Sequence, residues 1–75
     1  MGVRAKFRVH NVKEWGDMTL VEMGPVYTGS PENDSFFRAT PNGSISLTIK
    51  NEVAARWFKP NTEVYVDFTE AATPT

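Results

Sequence analysis

The chain has 75 residues, 40% of them hydrophobic, with 8 Lys and Arg, 9 Asp and Glu, one His and no Cys, for a formal net charge of −1. That length supports one domain near the lower limit for a single core, with an expected margin of about 3–5 kcal/mol unless the chain oligomerises. The composition excludes disulfides, thiol nucleophiles and thiolate zinc sites, leaves metal chemistry short of ligands, and exerts no overall pull toward nucleic acid.

Residues 3–12 alternate, with Val3, Ala5, Phe7 and Val9 on one face and Arg4, Lys6, Arg8 and His10 on the other, the pattern of a half-buried strand. Trp15-Gly16-Asp17 reads as a turn, with Trp15 folding back to pack. A second strand is expected from Met18 to Tyr27, with a bulge or bend at Gly24-Pro25 because proline cannot donate within a ladder. Thr28 to Ser35 is rich in turn-forming residues and reads as a polar loop.

The stretch from Phe36 to Ile49 reads as a β-hairpin, because Asn42-Gly43 sits between alternating apolar runs. A three-residue loop, Pro41-Asn42-Gly43, would set Phe37 opposite Leu47 and Ala39 opposite Ile45, leaving Phe36, Arg38, Thr40, Ser44, Ser46 and Thr48 outward. At Asn51 the period changes. Asn51 suits an N-cap, Glu52 suits a positive first turn, and Val53 with Trp57, and Ala54 with Phe58, stand at helical spacing. This short helix must end before Lys59-Pro60, and Trp57 and Phe58 are expected to plug one end of the fold. Glu63 to Thr69 forms a last strand with Val64, Val66 and Phe68 inward; residues 71–75 form a frayed tail.

Five strands with a brief helix between the fourth and fifth predict a mostly β protein, one domain over residues 1–70, built as a small SH3-like barrel. An OB-like barrel ranks second and a two-sheet sandwich third. No apolar run approaches the roughly 20 residues that span a bilayer, and the N-terminus lacks the apolar stretch of a signal peptide, so a soluble, cytoplasmic protein is expected.

Pro25-Val26-Tyr27, the run Phe36 to Ser44, Leu47 to Asn51, and Phe58-Lys59-Pro60-Asn61 leading into Tyr65-Val66-Asp67-Phe68-Thr69 together resemble a group of short uncharacterised phage and prophage proteins. Asn61 replaces the glycine expected after the proline of the late turn, and it too tolerates positive φ. The resemblance covers most of residues 25–70. It implies a phage or mobile-element origin in a bacterial host, and no reaction, ligand or site.

Two constellations stand out as candidate surfaces. Arg4, Lys6, Arg8 and His10, extended by Lys13, place basic groups about 7 Å apart along one strand, a spacing that can follow a phosphate backbone. The structural alternative is that Glu63 and Asp67 face this row from the last strand and neutralise it. Phe36 and Arg38, with Tyr65 nearby, form the second, able to stack a base or to anchor a protein interface. Serine, histidine and aspartate occur without any local catalytic motif, and no phosphate-binding glycine loop is present, so no catalytic, cofactor or metal residue is assigned. The expected function is therefore non-enzymatic: a protein-interaction or self-assembly module, with a single-stranded nucleic-acid-binding barrel as the alternative. A virion component ranks third.

Overall fold

Four strands and two helices follow one another in the computed structural model, which describes residues 2–72. In chain order they are β1 (Val3–Trp15), β2 (Met18–Pro25), α1 (Pro31–Ala39), β3 (Ile45–Ile49), α2 (Glu52–Trp57) and β4 (Glu63–Phe68). The strands form one antiparallel sheet in the order β3-β2-β1-β4.

The first strand follows its alternation: Ala5, Phe7 and Val9 are buried, and with Val21 and Met23 of β2 they make the core. Val3 shares their face, opposite Phe68, but sits at the sheet's end and is exposed. The strand continues to Trp15 because one extra residue, His10, is bulged out between the pairs Val9 with Met23 and Asn11 with Glu22. The bend expected at Gly24-Pro25 thus lies across the ladder, in the partner strand. Gly16 begins the two-residue turn into β2 with φ 60°, a backbone shape that glycine adopts without strain. Trp15 stays exposed at the tip of this hairpin and does not pack.

The predicted hairpin over residues 36–49 does not form. Residues 31–39 are helical: the Ser30 side chain accepts from the Asn33 backbone N–H at 3.0 Å, Pro31 opens the first turn, Glu32 and Asp34 match its positive end, and Arg38 matches the last. Phe36 and Phe37 are therefore helix residues, and the partners of Leu47 and Ile45 are Val21 and Met23 of β2. The later elements form where expected, although of Trp57 and Phe58, both expected to plug one end of the fold, only Phe58 packs against the core while Trp57 stays exposed. Asn51 caps α2 through its side chain, which accepts from the Ala54 N–H at 3.1 Å, and Asn61 takes positive φ at 67° in the turn before β4.

These differences overturn the closed five-stranded barrel, in either its SH3-like or OB-like form. Only four strands exist among the described residues, and β3 and β4 lie at opposite edges of an open sheet, so nothing closes it. What remains is a mostly β domain with two short helices. Of the expected tail, residues 73–75 lie outside the described residues.

Candidate functional site

The pleat gives the sheet two chemically different faces. One carries the basic row of β1. Cross-strand register sets Arg4 against Asp67, Lys6 against Tyr65 and Arg8 against Glu63. Arg4 Nε donates to Asp67 Oδ1 at 2.6 Å, with a second bond from its Nη2 to Oδ2 at 3.1 Å. Arg8 Nη2 lies 3.0 Å from Glu63 Oε2, and the Lys6 ammonium reaches both Glu63 and Glu32 of α1. The neutralising arrangement is therefore the one formed.

Helix α1 covers this face through polar contacts. Its one buried residue is Asn33, whose side-chain amide donates to Glu63 at 3.0 Å. Glu32 accepts from Lys6 and, at 2.8 Å, from the Tyr65 hydroxyl. The Phe36 ring lies 6.0 Å from Tyr65, and the Arg4 guanidinium sits over the same Tyr65 ring, 4.8 Å from its centroid. Each carboxylate is held below its ordinary range by its bonds: Glu32 by Lys6 and then Tyr65, Glu63 by Asn33 and then Lys6, Asp67 by Arg4. The bond to Glu32 raises the Tyr65 phenol and the Lys6 ammonium correspondingly.

Of the residues singled out from sequence, Arg4, Lys6, Arg8, Phe36 and Tyr65 thus meet in one network, with each of the three cations paired. Phe36 is half-buried rather than a free platform. Arg38 is exposed on α1 with no ion pair among the described residues. His10 stands apart at the bulge, its ring laid over Gly24, where a Cβ would come within 2.7 Å of Nε2.

The opposite face is apolar and only partly covered. Phe58, at the end of α2, packs against the core, and Trp57 stands edge-on to it at 5.0 Å. Beyond them a groove of about 470 Å³ runs across the sheet, lined chiefly by Met23, Ile45, Leu47, Val64, Val66 and Phe68 with the two aromatics. Trp57 is 65% exposed, Phe68 55% and Leu47 39%. The charged residue on its rim, Asp67, is already paired with Arg4. Sequence reasoning placed Ile45, Leu47, Val64, Val66 and Phe68 on apolar faces, left the face of Met23 unassigned and missed the groove, because a period of two marks the apolar face of a strand without telling whether a second layer covers it.

Among the described residues no group of three or more His, Asp or Glu could hold a metal ion, and no helix is long and apolar enough to cross a membrane. Compared with known protein families, curated proteins and solved structures, the chain matches none.

Proposed function

We propose that the chain is a protein-docking module that works without catalysis, and that its working surface is the apolar sheet face around Leu47, Trp57 and Phe68. The observation that carries this reading is the groove itself: a continuous apolar strip, rimmed by polar residues, on a chain small enough to need every apolar contact. A partner that lays apolar side chains into it would gain burial that the chain cannot supply from its own elements. The pairing of Arg4, Lys6 and Arg8 with Asp67, Glu32 and Glu63 argues for this reading over nucleic-acid binding, since paired cations release few counterions on meeting a phosphate backbone.

The test combines uptake of an anilinonaphthalene dye, which lights up on exposed apolar surface, with mass by light scattering, on the wild-type chain and on Leu47→Glu. Dye uptake or self-association in the wild type, reduced by Leu47→Glu while the far-UV spectrum is kept, supports a docking face. A folded chain that neither takes up dye nor associates overturns it.

A further inference from the structure

We infer that the occupant of the groove is a second copy of this chain, packed face to face about a two-fold axis, with Trp57 of each copy entering the groove of the other. The inference rests on the docking reading above and adds the identity of the partner.

Exposed area points to a second copy. The chain exposes 5840 Å², whereas folded monomers of 8.4 kDa expose about 4,600 Å². Even if the four residues outside the described range are set aside at the surface an unfolded chain exposes, about 160 Å² each, roughly 600 Å² of excess remains. Each partner in a standard stable interface contributes about 600–1,000 Å², so this excess meets the lower end of that range.

Shape points the same way. The radius of gyration is 14.1 Å, against about 11 Å for a compact domain of this length, and the molecule measures 41 × 38 × 18 Å. A slab of this kind is what one half of a layered assembly looks like, since open sheets bury an apolar face by stacking on a second layer about 10 Å away. Among the described residues the only element over that face is α2, six residues long.

Chemistry decides between a copy and a foreign partner. An isologous contact brings each patch against itself, so it tolerates no uncompensated charge at its centre. The groove meets that condition, because its walls are aliphatic and aromatic and Asp67 is already neutralised by Arg4. A net charge of −1 adds little repulsion between copies. Trp57 supplies a projecting ring and the strip between Leu47 and Phe68 supplies the recess, so knob and hole are present on one surface.

The test is sedimentation and light scattering of the purified chain across a concentration series, with Leu47→Glu, Phe68→Glu and, as a control on the far face, Arg38→Glu. The two groove variants replace exposed residues and should keep the wild-type far-UV spectrum. The expected result is a mass of twice 8.4 kDa for the wild type and for Arg38→Glu, with dissociation constants raised a hundredfold or more in both groove variants. A mass of 8.4 kDa at every concentration, with dye still taken up, overturns the two-fold assembly and leaves the docking face standing. A dimer that survives both groove substitutions overturns the face-to-face arrangement. Masses that grow without limit also overturn it, because a two-fold contact closes on itself.

Discussion

The two faces of this sheet are built from the same strands and finished in opposite ways. On one, Arg4, Lys6 and Arg8 are matched by carboxylates from β4 and α1, and Asn33 and Tyr65 close the network. On the other, the apolar residues of β3 and β4 are left open beside two aromatic side chains. The lesson concerns how each kind of surface is satisfied. Exposed charges need only local partners and water, which a nine-residue helix can supply. An apolar strip needs area, and six residues of α2 do not provide enough of it. The face that looked functional in the sequence is thus self-contained, and the face that looked like ordinary core is the unfinished one.

This contrast can be broken from either side. The largest effect should come from beneath the apolar face, where Phe7 is 5% exposed. Phe7→Ala should cost about 3–5 kcal/mol, the whole expected margin of a single copy, and leave the chain unfolded by far-UV dichroism at neutral pH and at concentrations too low for association. A smaller loss should follow acidification. Glu32, Glu63 and Asp67 titrate below their ordinary values of 4.5, 4.5 and 3.8, so the unfolded chain binds more protons and stability rises with pH through that range. Their contribution is present in full above about those values and lost as pH falls through the depressed ones. The melting temperature should therefore drop below pH 4.5, while the apolar contact proposed between copies, which uses no unpaired carboxylate, should persist as long as the chain is folded. The smallest effect should come from Ser30→Ala, which removes the cap of α1 at a cost of about 1 kcal/mol. Hydrogen exchange should show that loss concentrated in residues 31–39, with β1 and β2 little changed. A Ser30 variant that loosened β1 equally would show that the cover and the sheet open together.

How much of this was legible depends on what each residue pattern can encode. The alternation of β1 and β4 and the Asn51 cap of α2 are local signals, and they survive into the structure. So does the pairing of Glu63 and Asp67 with the basic row, which follows once the first and last strands are neighbours. The run from Ser30 to Ala39 was misread because two local codes overlap there. Ser-Pro-Glu-Asn-Asp serves as turn chemistry and equally as a helix start, with cap, first-turn proline and acidic residues in order. The Asn-Gly signal downstream tipped the balance toward a hairpin, and β2 instead took β3 as its partner. The groove was illegible for a different reason. Whether Leu47 and Phe68 are covered depends on where a six-residue helix lands, which no alternation records.

The bulge at His10 bears on which changes in chain length the protein could absorb. Val9 and Val12 both reach the apolar face, although they are three positions apart, because His10 takes up the odd residue. Removing His10 would bring Phe7, Val9 and Val12 into unbroken alternation and straighten the ladder without moving any core side chain to the wrong side. Removing any residue between Ala5 and Val9 would instead invert everything that precedes it relative to β2. The strand thus carries one position where a single-codon deletion is silent in phase, flanked by others where the same event would turn the core outward.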